Sequence, residues 1–180
     1  MPLCLTFNAG RVESRHMADV RRTEMKIEDK RETSAWVPAE RILAEVIPHM
    51  PTKWTRGIRK LVLLDKDYHP HRDAAGRYCL IKGTRRADIE LFFDYYAEFP
   101  DGLSNDYHYQ RYRLICTLCH ELYHHFVNGQ RIMKKPCHKM EEKRASFWSD
   151  KASRYVMSKL YTKAEFQEHR DRINGILLGK

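Results

Sequence analysis

The stretch His120-Glu121-Leu122-Tyr123-His124 lies inside a longer segment, residues 112–127, in which apolar residues recur with a regular spacing. The residues that form this pattern are Leu114, Leu118, Leu122 and Phe126, at every fourth position, with Ile115 beside the first. Side chains at this spacing form one apolar stripe of an amphipathic helix. The pattern therefore predicts a helix of about four to five turns over the segment.

Two histidines of this predicted helix are spaced to bind one metal ion. His120 and His124 are four residues apart, so their imidazoles lie one turn apart on one face of the helix. Glu121 lies beside them, where its carboxylate can take a proton from metal-bound water. The pattern is the H-E-x-x-H arrangement of zinc peptidases, and it predicts a zinc ion with Glu121 as the catalytic base. A surface helix that carries two histidines by chance is the alternative interpretation.

A catalytic zinc ion usually has three protein ligands and leaves a fourth position to water, so a further ligand is needed. The metzincin continuation H-E-x-x-H-x-x-G-x-x-H is excluded, because Val127 and Gln130 occupy the positions of its glycine and its third histidine. Downstream of the motif, the candidates are Glu142, Glu141 and His138. Upstream, the loop histidines His69 and His71 could also bind metal, but histidines that flank Pro70 in a loop are more typical of a solvated position.

The spacing Glu142-x-x-Ala145-x-x-Trp148 resembles the glutamate helix of the ImmA/IrrE-type metallopeptidases and, more loosely, that of thermolysin-like gluzincins. The resemblance covers roughly residues 56 to 160 and rests mainly on the two short motifs. It implies that Glu142 is the third zinc ligand. Ser146 stands where these enzymes often carry Asn or Asp as a supporting partner, and we expect it to supply only one hydrogen bond.

His138 supports a different resemblance. It follows His124 by fourteen residues, a separation similar to that of the third histidine in SprT/Spartan-type DNA-associated proteases. That family tends to continue with glycine and an aromatic residue, whereas residues 139–141 are Lys-Met-Glu here. Glu142, His138 and Glu141 therefore all remain candidates for the third ligand.

The residues before the metal-binding motif predict a small sheet. Apolar runs at Ile58–Leu64 and Tyr78–Ile81 and an alternating run at Ala87–Tyr96 indicate three strands. The family resemblance implies an α+β, zincin-like metallopeptidase fold with a small mixed sheet. It also implies that the last strand before the metal helix is an edge strand above the cleft, where an extended peptide substrate can pair. A short helix beginning near Pro38 and a terminal helix ending near Leu178 complete the expected elements.

Composition and length indicate how the chain is organised. Residues 1–35 are rich in alternating charge and poor in large apolar residues, so we expect a loosely ordered extension. Residues 36–180 are expected to form one zincin-like domain. No apolar run approaches the roughly 20 residues of a membrane span, and the first ten residues do not resemble a signal peptide. Five cysteines without regular spacing fit reduced thiols, so we expect a cytoplasmic protein without a membrane partner.

The positive charge is concentrated downstream of the metal-binding motif. The chain carries 33 Lys and Arg against 24 Asp and Glu, a net charge of +9. Residues 129–163 contain ten of these bases and three acids. Such a segment is either a solvated helix face or a contact for acidic peptides or nucleic acid. We expect only weak, non-specific nucleic-acid contact, because the sequence shows no aromatic-rich stacking platform beside the charges.

These patterns favour a zinc-dependent endopeptidase in which His120, His124 and Glu142 bind the metal. Glu121 would be general base and then acid, and a catalytic group such as Tyr155 or a loop histidine would stabilise the oxyanion. One alternative is a SprT-like protease that acts on nucleic-acid-bound protein. Another is a non-enzymatic regulatory binding module stabilised by a metal. The presence of Glu121 argues against this module, because a purely structural metal site has no use for a carboxylate there.

Overall fold

The computed structural model describes residues 25–33, 38–65, 74–93, 103, 106–129 and 138–177. Within these residues the chain forms a four-stranded sheet and five α-helices, so the predicted α+β class is confirmed. The elements in chain order are β1 (Lys26–Asp29), α1 (Ala39–Val46), a 3-10 turn (Ile47–His49), α2 (Thr52–Thr55), β2 (Ile58–Leu64), β3 (Gly76–Leu80), β4 (Ala87–Phe92), α3 (Tyr107–Gly129), α4 (His138–Leu160) and α5 (Lys163–Leu177).

The sheet is mixed, and its strands follow the order β1-β2-β4-β3. β1 and β4 lie on either side of β2 and are parallel to it, while β3 is antiparallel to β4. The three strands predicted from apolar runs are confirmed as β2, β3 and β4. β3 begins two residues earlier than expected, and residues 94–96 of the third predicted strand lie outside the described part of the chain.

The structure corrects the position of the edge strand. The last strand before the metal helix is β4, which was expected at the edge, but both of its sides are paired. Ile89 of β4 is opposite Leu61 of β2 on one side and opposite Tyr78 of β3 on the other. An alternating apolar pattern is the same for a central and an edge strand, so the sequence could not distinguish them. The edge strand nearest α3 is therefore β3.

The structure also corrects part of the predicted N-terminal extension. Residues Lys26–Asp29, which fall inside the expected loosely ordered region 1–35, form β1 and pair with β2. The strand carries few apolar residues, and its acidic Glu28 contacts a lysine of β2, with Lys60 Nζ 2.9 Å from Glu28 Oε2. Residues 1–24 and 34–37 lie outside the described part of the chain.

The core lies between the sheet and the helices α1, α3 and α4. The predicted stripe of α3 is confirmed at Leu114, Ile115, Leu118 and Leu122, which are all at most 1% exposed, whereas Phe126, its last predicted member, is only partly buried. They pack in one cluster with the buried face of α1, the inner residues of β2 and β4 and the apolar residues of α4. Among the described residues, no helix is both long enough and apolar enough to cross a membrane.

Candidate metal centre

Two packed helices bring the predicted ligands together. His120 and His124 lie on α3, and Glu142 lies in the second turn of α4. His120 Nε2 is 3.0 Å from Glu142 Oε2, and His124 Nε2 is 3.4 Å from Glu142 Oε1. One ligand atom from each of the three residues lies within 4.8 Å of the others. The three side chains therefore form a group that could hold a metal ion.

The spacing of these atoms fits a small tetrahedral ion. Zinc binds nitrogen and oxygen ligands at about 2.0–2.1 Å, so two ligand atoms of a tetrahedral site are about 3.3 Å apart. Each imidazole Nε2 lies close to that distance from one of the two carboxylate oxygens of Glu142, at 3.0 Å from Oε2 for His120 and at 3.4 Å from Oε1 for His124. Nitrogen, nitrogen and carboxylate oxygen are also donors that zinc accepts. The residues present therefore fit the ion that the sequence motif predicts.

The approach of α4 to α3 depends on small side chains at the helix contact. Ala145, three residues after Glu142, is fully buried, and Ser149 one turn further on is 6% exposed. The Ser149 hydroxyl donates a hydrogen bond of 2.7 Å to the backbone oxygen of Cys116 on α3. Trp148 packs edge-on against Trp54 with ring centroids 5.0 Å apart. These contacts set the separation at which Glu142 reaches the two histidines.

Glu141, which the sequence left open as a ligand, contacts the other side of His124. Its Oε1 lies 3.0 Å from His124 Nδ1, and both side chains are largely buried. An ionised carboxylate can only accept a hydrogen bond, so Glu141 accepts from the Nδ1–H of His124, and Nε2 is the nitrogen that a metal ion held with Glu142 would use. Carboxylates commonly orient metal-binding histidines in this way.

Ser146 does not supply the support that was expected of it. Its hydroxyl donates to the backbone oxygen of Glu142, 3.0 Å away, and so bonds within its own helix. The supporting hydrogen bond comes instead from Glu141. The spacing Glu142-x-x-Ala145-x-x-Trp148 favoured Glu142 as the ligand, but no sequence pattern indicated a supporting role for Glu141, because which carboxylate contacts which nitrogen depends on how α4 is rotated against α3.

Glu121 points from α3 towards the edge strand. It is 7% exposed, and the backbone N–H of Tyr78 donates to its carboxylate. A Cβ at Gly76 would lie 3.0 Å from Glu121 Cγ, so a side chain at this position would have to displace Glu121 where β3 passes over it. Burial and the negative charge of Glu142 raise the pKa of Glu121 to about 8. A cation at the site would oppose this rise, because it favours the ionised carboxylate.

The metal ligands and Glu121 line one open cleft of about 980 Å³ between β3, α3 and the first half of α4. The outer side of β3 faces this cleft. Ala75 accepts a hydrogen bond from Phe92 of β4, and Ile81 donates one to Arg86, so these residues direct their backbone groups towards β4. Because backbone groups alternate in direction along an antiparallel strand, those of Gly76 and Tyr78 point away from β4.

Tyr155 lies outside the cleft, and the prediction that it stabilises an oxyanion is corrected. It follows Glu142 by thirteen residues on α4, which is about 20 Å along the helix axis. Its ring is 44% exposed and packs edge-on against Trp54, with ring centroids 5.7 Å apart. The sequence placed Tyr155 on the correct helix but could not show how far it lies from the metal ligands.

Two further predictions lie beyond what the structure describes. His138 begins α4, but its side chain is outside the described part, so its role as an alternative ligand stays a prediction. His69 and His71, which we considered as loop ligands, are also outside the described residues. Cys116 and Cys119 of α3 are free thiols, and Cys119 is fully buried.

His125 is a site residue that the sequence did not indicate. It is 7% exposed, and its Nε2 donates to the backbone oxygen of Arg56, 2.8 Å away. Its Nδ1 lies 3.4 Å from the hydroxyl of Tyr78, which donates to it. His125 therefore joins α3 to the edge strand beside Glu121. Arg56 is 69 residues away in the chain, so no local spacing could reveal this contact.

Comparison of the chain with protein-family models, with curated proteins and with solved structures gives no match. What the protein does must therefore be inferred from the geometry of the site and from the two motifs that form it.

Proposed function

We propose that this protein is a zinc-dependent endopeptidase with a zincin-like fold. The observation that carries the proposal is that three features lie in one cleft. These are the group His120, His124 and Glu142, the buried carboxylate of Glu121, and the outward backbone groups of β3. A structural zinc site is normally closed by four protein ligands, whereas a catalytic site keeps one position open. Three ligands beside an open cleft favour catalysis.

His120, His124 and Glu142 would hold the zinc ion, and Glu141 would keep His124 in the tautomer that presents Nε2. Zinc at such a site acts as a Lewis acid on a substrate carbonyl and lowers the pKa of water towards neutrality. About a quarter of the His120 side chain and about two fifths of the Glu142 side chain are exposed. The proposed ligands are therefore accessible from the cleft.

Glu121 would act as the general base and then as the general acid. Its position next to His120 on α3 and its place in the lining of the cleft bring its carboxylate to the reacting groups. The Tyr78 N–H restricts the orientation of the carboxylate, and the close passage of Gly76 leaves no room for it to swing under β3. Because the carboxylate is already oriented, little conformational entropy is lost when it accepts the proton.

The free side of β3 would bind the substrate backbone. Main-chain groups of Gly76 point into the cleft beside Glu121, so an extended peptide can pair there as an added strand. This pairing would recognise the peptide backbone and not a particular side chain. It supports an unfolded or extended protein segment as the substrate class. The strand that performs this role is β3 and not β4.

The proposal is tested with Glu121→Gln, which changes a charge and not the size of the side chain. Wild-type protein should bind about one zinc ion per chain and cleave members of a mixture of unstructured peptides, as followed by mass spectrometry. Glu121→Gln should retain zinc and lose cleavage by a factor of at least about 100. Glu168→Gln on the exposed side of α5 is the matched control and should behave as wild type.

Three results would contradict the proposal. Wild-type protein without bound zinc after purification and zinc dialysis would remove the metal centre. Cleavage retained by Glu121→Gln would remove the mechanism even if zinc binds. A protein that binds zinc but cleaves no peptide would favour the non-enzymatic binding module.

A further inference from the structure

The outward side of α4 carries a regular row of residues that the cleft does not use. Every fourth residue from Lys143 to Lys159 is alternately a lysine and an aromatic ring, in the order Lys143, Phe147, Lys151, Tyr155 and Lys159. Residues four apart lie one turn apart on a helix, so these five form one row about 24 Å long. All five are exposed. We name this row the lysine–aromatic ridge.

The two rings of the ridge are unusually exposed for their size. Phe147 is 63% exposed and Tyr155 is 44% exposed. Four large apolar side chains in the described part of the chain are exposed. Three of these four lie on α4, namely Met140, Phe147 and Tyr155. Single exposed apolar residues are ordinary, but several on one helix face indicate a contact surface.

The lysines of the ridge differ from the cations of the sheet. On the sheet, Arg59 pairs with Asp88 at 2.6 Å and Lys60 pairs with Glu28 at 2.9 Å, so charge is neutralised within the protein. No carboxylate among the described residues forms an ion pair with Lys143, Lys151 or Lys159. Their charge is therefore left for anions outside the protein.

Within the ridge each ring is paired with the lysine that follows it. Lys151 Nζ lies 4.3 Å from the centre of the Phe147 ring, and Lys159 Nζ lies 5.4 Å from that of Tyr155. Such cation–π contacts are weak at exposed sites, and Lys side chains are flexible. The two ring–lysine pairs thus offer a flat apolar surface and a mobile cation side by side, repeated along the helix.

We propose that the lysine–aromatic ridge binds single-stranded nucleic acid. In a single strand, flat bases and phosphates are both accessible, and proteins bind it with aromatic rings for stacking and cations for the backbone. A duplex exposes the phosphates but keeps the faces of its bases stacked, so it could use the lysines and not the rings. The exposed rings between the lysines would supply the stacking groups that we did not expect beside the basic segment.

The ridge is separate from the proposed metal centre. None of its five residues lines the cleft. Binding by the ridge therefore does not depend on the peptidase proposal, and the variants below should take up zinc as the wild type does. Failure of one proposal leaves the other standing.

The test uses fluorescence anisotropy with a labelled oligothymidine somewhat longer than the roughly 4–16 nucleotides that single-strand-binding folds cover. The variant Lys143→Glu/Lys151→Glu/Lys159→Glu should lose binding by at least about tenfold. Lys82→Glu/Arg85→Glu/Arg86→Glu is the matched control, because it makes the same change in net charge at exposed positions of the β3–β4 turn. The control should bind within about threefold of wild type. Equal losses in both would show a response to net charge alone and overturn the proposal.

Salt dependence measures how many lysines take part. For a single strand, the slope of log affinity against log salt is about −0.7 for each phosphate contact. Three lysines therefore predict a fall of roughly 20-fold between ~50 and ~200 mM salt. A single Lys151→Gln change should reduce the slope by about 0.7. An unchanged slope would place the phosphate contacts elsewhere.

The rings separate single-strand binding from simple charge attraction. Phe147→Ala should weaken binding of the single strand by at least about fivefold and leave duplex binding unchanged, whereas Phe147→Tyr should restore it. Circular dichroism should show unchanged helix content, because Phe147 is exposed. An equal effect of Phe147→Ala on single strand and duplex would overturn the proposal. Preferential binding to vesicles of phosphatidylserine would likewise overturn it and identify an anionic membrane surface as the partner.

Discussion

Two pairs of histidines lie on the long helix α3 and its neighbours, and they have different surroundings. In the first pair, His120 and His124 face Glu142 of α4 at the cleft. In the second, His108 near the start of α3 stacks on His169 of α5, with ring centroids 3.6 Å apart and an angle of 21° between the rings. Both pairs bring two imidazoles close together. Only the first pair forms a group that could hold a metal among the described residues.

The difference lies in the groups around each pair. The carboxylate of Glu142 lies 3.0 Å from His120, and that of Glu141 lies 3.0 Å from His124. Negative charge therefore surrounds the first pair. His108 Nδ1 instead contacts the hydroxyl of Tyr161 at 2.7 Å.

The second pair also lies near cations. Arg111 donates to the same Tyr161 hydroxyl, and Arg172 lies close enough to lower the pKa of His108. Cations nearby repel a metal ion. Asp106 and Glu165 also lie near the second pair, but carboxylates contact the imidazole nitrogens directly only at His120 and His124, and this direct contact distinguishes the candidate metal site.

The largest expected effect concerns the histidines themselves. His120→Ala or His124→Ala should abolish zinc binding, because two remaining ligands do not hold a catalytic zinc ion. His108→Ala or His169→Ala should leave about one zinc ion per chain. Metal content after dialysis, measured by atomic emission, compares the four variants. Zinc lost equally from both groups would mean that the second pair takes part in the metal site.

The identity of the third ligand is tested by replacing each of two candidates, Glu142 and His138, with alanine. Glu142→Ala should lose most of the zinc affinity, since its carboxylate lies within 3.4 Å of both imidazoles. His138→Ala should lose little. Competition with a zinc chelator gives the two affinities on one scale. The reverse ranking would replace Glu142 by His138 and move the protein to the SprT-like alternative.

A smaller effect is expected from the supporting carboxylate. Glu141→Gln keeps the shape of the side chain but removes the charge that accepts the proton of His124 Nδ1. Loss of such a partner typically lowers metal affinity by roughly 10–100-fold. The chelator competition used for Glu142 measures it, and Glu168→Gln again provides the matched control. An affinity within twofold of wild type would show that Glu141 does not orient His124.

The smallest expected effect is a pH dependence of the free energy of unfolding that arises from His108 of the second pair. Burial and the neighbouring His169 lower the pKa of His108. Below the unfolded value of about 6.5, the unfolded chain binds a proton that the folded chain resists, so stability falls as pH decreases. Above that value this contribution to stability is fully present.

His108→Gln should reduce the loss of stability between pH 7.5 and pH 5.5 relative to wild type. Urea unfolding at each pH, with a chelator present to remove any contribution of metal, measures the difference. Asp106 opposes the shift, and Arg172 and Arg111 act with burial and His169, so the net effect is a lowered pKa of His108. A steeper loss of stability in the variant would show that His108 is charged in the folded protein.

Local spacing was sufficient for the elements that carry their own apolar pattern. The stripe of α3, the strands β2 and β4, and the helix beginning after Pro38 follow from side chains within one short segment each. The association of His120, His124 and Glu142 was also predicted, because the two motifs lie on successive helices. Their donor atoms meet as the motifs implied.

Contacts between distant segments could not be predicted in this way. Lys26–Asp29 becomes a strand only because β2, more than thirty residues later, offers its free side. The same holds for His125 and Arg56, which are far apart in the chain. Tyr155 was assigned to the site because the sequence gives a helix but not the distance of its residues from a neighbouring cleft.

The sequence by itself determined which residues of α3 are buried and that two histidines share a face with Glu121 next to them, because helical periodicity fixes the direction of each side chain. Only the tertiary structure decided which strand lies at the edge, which glutamate faces His120 and which faces His124 Nδ1, and which side of α4 remains outside. These depend on the order of strands and on the rotation of α4 against α3. Both are set by packing between segments that the local pattern does not connect.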